Sequence, residues 1–459
     1  MRVPDQWRVV LAALAIPAGL LAAFPAQAQT AAEETQAAPD EARSEPEQAQ
    51  AQSAASQAAP QTEADRQPKI ERDEKPVTMD ERTYKRLSVV HELMGNNKQQ
   101  EALDKLRSLD KGSLDDYAQA LIWQTFGFLY AQQDDYPTAI EYFEKALDSD
   151  ALPNAAQSGT LYSLAGMYTS REEYQKSIDT LMRWWPLEKQ PRPEAYILMA
   201  SNYAEMKKYR EALPYVEAAI AGSEKPQESW YQLALAIHFE TEQYEEAVKI
   251  LRKMVARWPD KLRNWEMLAG AHQELEQDAQ ALAAQMLAYE KDLVEEERKL
   301  LNLARLNMFL DLPYDAGKLL EKEIEAGNVE PTQKNLELLL SAWTSAREFD
   351  KAIEVIDKLA PMADDGNYYL QKAQLFAEKT QWKEVAEAAR EAVDKGGMKE
   401  KQTGGAYLLL GIALAELERY DDAIAALEEA KGYDKTSREQ ADGWIDYVRD
   451  RQQVQVAST

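Results

Sequence analysis

From Glu81 onward the apolar residues of this chain follow helical spacing, and the pattern returns at intervals close to 34 residues. That periodicity leaves few folds open, because a unit of this size cannot bury its apolar face alone. The plainest copy has Trp123, Phe126, Gly127 and Tyr130 on one stretch and Ala139, Phe143 and Ala146 on the next. Copies begin at Thr83, Ala120, Ser158, Pro193, Glu228, Leu262, Glu297, Gln333, Gly366 and Gly404, with separations of 37, 38, 35, 35, 34, 35, 36, 33 and 38 residues. A small residue recurs in the second half of the unit as Ala102, Ala139, Ser177, Ala212, Ala247, Ala281, Ala316, Ala352 and Ala423, while Val385 departs from it in the ninth. Just before it an aromatic recurs as Tyr136, Tyr174, Tyr209, Tyr244, Phe349, Trp382 and Tyr420, with Pro313 in that place in the seventh unit.

These spacings predict an all-α chain of about ten helix-turn-helix units over 81–436. Each pair has an apolar stripe too wide for its own partner, so pairs must stack into a solenoid whose ends need polar caps. The stretch from Ser437 has Trp444, Ile445 and Val448 on one side and Arg438, Asp442, Asp446 and Arg449 on the other, which predicts a capping helix and tail over 437–459. The Trp, Gly, Tyr, Ala, Phe and Ala spacing resembles that of the tetratricopeptide repeat (TPR) proteins. The resemblance implies a right-handed superhelix whose first helices line a concave, partner-binding side.

The amino-terminal end reads differently. Arg2 and Arg8, the apolar run Val9–Ala23 and the small residues Ala26-Gln27-Ala28 have the three-part form of a secretory signal peptide, expected to be cleaved after Ala28. Fifteen apolar residues broken by Pro17 and Gly19 fall short of the ~20 that span a bilayer. Residues 29–80 are rich in Ala, Gln, Glu, Pro and Ser without an aromatic, and are expected to form a disordered tether. The localisation expected is therefore the periplasm, with no membrane span in the mature chain.

Composition narrows the chemistry. Lys and Arg total 53 against 80 Asp and Glu, a formal charge of −27; setting aside residues 1–28 (+1) and 29–80 (−7) leaves −21 on the repeats. Such a balance disfavours nucleic acid and favours a partner with a basic patch. The absence of cysteine excludes disulfides, thiolate metal sites, a cysteine nucleophile and a lipidated amino-terminal cysteine. The three histidines are His91, His238 and His272. His238 and His272 occupy the slot of Tyr130 in successive units, where a half-buried ring with a polar tip is the structural expectation. Gly404-Gly405 lacks the preceding strand and following Lys-Ser of a phosphate loop. No catalytic residue, metal site or cofactor is therefore expected.

The family resemblance places partner contacts on inward slots of the first helices: Phe128, Tyr162, Ile197 and Phe239, then Leu301, Arg305, Met308 and Phe309, the densest apolar cluster. Gln124 and Glu266 share such slots. The Lys and Asn of a chaperone-tail clamp are missing from them. Trp230–Met254, Asn335–Lys358 and Ala406–Ala430 followed by Tyr433–Thr436 are, in addition, similar to periplasmic TPR proteins encoded with the TonB, ExbB and ExbD components of Gram-negative bacteria. That likeness implies a non-enzymatic scaffold assisting TonB-dependent uptake, its partner an envelope protein or peptide segment such as TonB, ExbD or an outer-membrane receptor. Alternatives are a scaffold for cell-wall or outer-membrane assembly, or a glycan-binding or glycan-processing superhelix using carboxylates such as Glu266 and Glu337.

Overall fold

The computed structural model describes residues 61–458 apart from Glu71, Lys111 and Ser113. The expected signal peptide, 1–28, and residues 29–60 of the expected tether lie outside the described residues. Among those described there are 21 α-helices and no strand. The fold divides into two compact units, Met1–Ala256 and Arg257–Thr459.

The first unit contains α1 (Glu81–Gly95), α2 (Gln99–Leu109), α3 (Asp116–Ala131), α4 (Tyr136–Asp148), α5 (Asn154–Ser170), α6 (Tyr174–Trp184), α7 (Pro193–Glu205), α8 (Tyr209–Ala221), α9 (Glu228–Glu240) and α10 (Tyr244–Arg257). The second contains α11 (Leu262–Glu274), α12 (Asp278–Glu290), α13 (Glu297–Phe309), α14 (Pro313–Glu325), α15 (Gln333–Ser345), α16 (Phe349–Leu359), α17 (Asn367–Glu378), α18 (Trp382–Lys395), α19 (Glu400–Glu416), α20 (Tyr420–Ala430) and α21 (Lys435–Ser458).

One turn joins the two helices of every repeat. Its left-handed residue is Asn97, Asp134, Glu172, Lys207, Glu242, Glu276, Asp311, Arg347, Thr380 or Glu418, with φ between +55° and +61°. The next amide donates to the carbonyl five residues back, as Asp135 does to Tyr130 and Gln243 to His238, at 2.8–3.0 Å in all ten turns. This satisfies a carbonyl that the helix end leaves open. The recurrent aromatics Tyr136, Tyr174, Tyr209, Tyr244, Phe349, Trp382 and Tyr420 are each the first residue of a second helix.

Five first helices start at the residue the repeat spacing indicates: Pro193, Glu228, Leu262, Glu297 and Gln333. In α3, α5 and α19 the helix begins four residues earlier. A local cap draws α3 out, because the Asp115 carboxylate accepts from the Ala118 amide at 2.7 Å. Each unit has a core drawn out along the repeats. In the first, Leu87, Leu106, Ile122 and Phe126 form one cluster, and Phe143, Leu164, Leu181, Trp185, Tyr215 and Ile237 belong to the next. In the second, Leu303, Leu320, Leu340, Trp343 and Ile356 share one, and Val385, Leu414, Leu427, Ile445 and Val448 share another, the last two from α21.

Residues 61–80 depart from the expected disorder: from Thr62 to Lys75 they form a strap seated against the first unit. Thr62 and Ala64 are buried, Ala64–Arg66 make a single 3-10 turn, and Asp80 caps α1 through the Thr83 amide at 2.9 Å. Composition argued for disorder because the segment has almost nothing apolar to bury. The strap is instead held by hydrogen bonds and ion pairs, to which hydrophobic content is blind.

Candidate functional site

The residues expected to line the groove fall into two environments. In the first unit, Phe128, Tyr162 and Ile197 are half-buried and rest on one core cluster. Phe128 meets Phe143 edge-on with ring centroids 4.9 Å apart. Tyr162 packs on Trp184 at 5.4 Å and lies under the Arg192 guanidinium at 5.2 Å. Burial pushes the Tyr162 phenol up, against the pull of Arg192. Phe239 is buried and packs edge-on against Tyr244 at 5.7 Å. In the second unit, Leu301 is half-buried against the α13–α16 core, Met308 is half-buried, and Arg305 is exposed with a 3.0 Å bond to Asn302.

Phe309 is 74% exposed, and Leu312 and Tyr314, across the turn between α13 and α14, are 41% and 50% exposed. The open apolar surface is therefore at this turn, with Leu301 belonging to the fold. Gln124 is likewise taken out of the groove: it is buried and donates to Thr160 on α5 at 2.7 Å.

Polar slots on the first helices are spent on the neighbouring repeat. Glu266 on α11 takes an ion pair from Lys299 on α13 at 2.9 Å, and Glu337 on α15 accepts from the Tyr368 hydroxyl on α17 at 2.6 Å. The two carboxylates thus serve separate helix-helix ties two repeats apart. His238 and His272 each close their own turn, through Nδ1 to Gln243 Oε1 at 2.9 Å and to Gln277 Oε1 at 2.7 Å. No group of three or more His, Cys, Asp or Glu side chains among the described residues is placed to hold a metal ion.

A built site emerges where the strap meets the first unit. The chain turns into a short 3-10 segment at the end of α6, placing Trp185 in the core, and α7 and α8 bring Tyr196 and Tyr215 beside it. The indole meets Tyr196 edge-on at 4.9 Å and Tyr215 at 6.1 Å. Both Trp185 Nε1 and the Tyr196 hydroxyl donate to one carboxylate oxygen of Asp65, at 3.0 and 2.7 Å. The other oxygen accepts from the amide and hydroxyl of Thr62, at 3.0 and 2.8 Å. Burial pushes the Asp65 carboxyl up, but these four donors outweigh it and hold the group below its ordinary value.

The strap then runs back along the repeats. Lys69 donates to the carbonyls of Trp185 and Glu188 at 3.2 and 2.9 Å. The Ile70 amide donates to Pro186 at 3.0 Å. Arg72 donates to Asp150 Oδ1 at 2.7 Å and to the Leu152 carbonyl at 2.7 Å, and Lys75 donates to Asp150 Oδ2 at 2.8 Å. Lys69 and Arg72 thereby sit on backbone carbonyls just past the ends of α6 and α4. No periodic signal marks these residues. The nearest hint in the sequence is the Lys69, Arg72, Lys75 spacing in a stretch otherwise acidic.

Models of the tetratricopeptide repeat match residues 120–151, 197–261 and 370–438. The chain carries tetratricopeptide repeats. The all-α repeat fold is thus of the TPR kind in both units. Among solved structures the chain is similar to a TPR protein from Parabacteroides merdae, at 15% identity over 56% of this chain and 98% of that one, with a TM-score of 0.35. It is also similar to YrrB, described as a TPR protein with an unusual peptide-binding site, at 17% identity over 38% of this chain and 92% of that one, with a TM-score of 0.30. The TPR2AB domain of yeast Sti1 in its complex with pHSP90 is similar at 17% identity over 57% of this chain and 98% of that one, with a TM-score of 0.30. None of the curated proteins matches the chain.

Proposed function

We propose that this chain is a non-enzymatic scaffold of the bacterial periplasm that holds an envelope protein through a peptide segment, as an accessory of TonB-dependent energy transduction and uptake. The observation that carries the scaffold reading is the repeat fold itself, with open apolar side chains, Phe309 above all, on a face the repeats do not use. Export is supported by the Arg2, Val9–Ala23 and Ala26–Ala28 pattern. The TonB link rests on the likeness of Trp230–Met254, Asn335–Lys358 and Ala406–Ala430 to the periplasmic proteins encoded beside that system. The partners proposed are TonB, ExbD or an outer-membrane receptor. A charge of −21 over the repeats steers a basic segment toward them.

The test is capture from the periplasm of a Gram-negative host, comparing the wild type with Phe309→Asp plus Tyr314→Ser. Phe309 is open, while Tyr314 keeps part of its ring against Trp343 at 5.7 Å, so circular dichroism of the variant checks that the helices are kept. Recovery of TonB, ExbD or a receptor by the wild type alone supports the reading. Recovery of cell-wall or outer-membrane assembly factors keeps the scaffold and removes the TonB link. Finding the chain in the cytoplasm of the host removes the periplasmic assignment.

A further inference from the structure

The seat of the strap has the construction of a ligand site. Trp185 is fully buried and held by Trp184, Tyr196 and Tyr215, so the aromatic walls of the seat are built from the repeats rather than from the strap. The strap inserts only two small side chains, Thr62 and Ala64, while its largest apolar residue, Ile70, is 57% exposed. Its remaining hold is polar: one carboxylate on two aromatic donors, Lys69 on two backbone carbonyls, and Arg72 and Lys75 on the Asp150 carboxylate, with Arg72 also on the Leu152 carbonyl. The strap backbone also reaches the aromatic wall, where the Ala64 amide faces the buried Tyr215 hydroxyl.

We propose that the seat formed by Trp185, Tyr196 and Tyr215 recognises an extended peptide carrying a hydroxyl residue, a small residue and then a carboxylate, followed by spaced basic residues, and that Thr62–Lys75 is its resident occupant, displaced when such a peptide arrives. The inference rests on the scaffold reading above, and names the peptide chemistry and the internal competitor. A tethered occupant competes at a high effective concentration, so the apparent affinity of an incoming peptide is reduced by the fraction of seats that are open.

The probe is a fluorescein-labelled synthetic peptide of residues 61–75, read by anisotropy against the full chain. The variant is Asp65→Asn with Arg72→Gln, which weakens the resident strap and leaves every wall of the seat intact. Hydrogen exchange over residues 62–75 reports strap release, and circular dichroism reports the helices. The expected result is raised exchange in the strap, unchanged helix content, and probe binding at least tenfold tighter than to the wild type. A probe with Asn in place of Asp65 should bind the variant at least tenfold more weakly. Two results overturn the proposal: an open strap with no probe binding, and a strap that stays protected even after Lys69→Gln and Lys75→Gln are added to the variant. Failure of periplasmic capture with successful probe binding removes only the partner assigned under the scaffold reading.

Discussion

Single positions in this chain separate close packing from open space. A Cβ at Gly127 would stand 2.6 Å from the buried Phe143 ring, whereas one at Gly166 meets nothing within 4 Å. Gly127→Ala should therefore destabilise by about 1–3 kcal/mol through overpacking, and Gly166→Ala should stabilise by up to about 1 kcal/mol through helix propensity. Urea unfolding of the pair checks both signs. Thr380 is β-branched and exposed at φ +55°, and Thr380→Asn should raise stability by about 1 kcal/mol, since Asn tolerates the left-handed region. Asp65 gives a pH dependence. Its folded pKa lies below the ordinary 3.8, so its hold on the strap is complete above that value and is lost as pH falls through the lower folded one. The groups facing it are Thr62, Trp185 and Tyr196, with Glu63 and the Tyr215 phenol nearby. Following the Trp185 indole N–H by NMR should show the bound signal retained at pH 5 and lost only in stronger acid.

At the level of elements, the two histidine turns allow a direct comparison. Gln243→Ala and Gln277→Ala each remove a bond to the imidazole that closes the turn, and each should cost about 0.5–1.5 kcal/mol. Thermal unfolding of the two variants, with no change in metal content, checks the structural role. The turns also show what was readable beforehand. The helix starts at Pro193, Glu228, Leu262, Glu297 and Gln333 followed from periodicity, the last of them marked also by its Thr332 cap, while α3 is lengthened by the Asp115 cap, which lies outside the repeat. Groove residues were harder, because the repeat pattern places a side chain on a face without saying how much of it a neighbour covers. Phe309 stayed open, Leu301 settled half-buried against the core and Gln124 turned inward to Thr160. The strap was unreadable by the same route: Asp65 meets Trp185 and Tyr196 more than 100 residues away, and no periodicity encodes such a bond.

For the whole molecule, the divided core governs how it comes apart. In the second unit the Leu303–Ile356 cluster and the Val385–Val448 cluster each draw on adjacent repeats, so stability is a sum of local terms. Leu427→Ala should cost about 2–5 kcal/mol, and should release amides around α18–α21 at lower denaturant than those around α13–α16. Hydrogen exchange by mass spectrometry resolves the two stretches; simultaneous release would contradict the additive picture.

The course of the strap also decides where a pull on the chain is felt. Residues 1–60 join the described structure next to Asp65, against Tyr196, and not at α1. Tension applied through them reaches the first unit partway along its repeats, and it meets the strap's attachments one after another: Asp65, then Lys69, then Arg72 and Lys75. Attachments loaded in series part singly, as in peeling, and need far less force than the same number loaded together in shear. The helices α1 and α2 would stay slack until the last of them had let go.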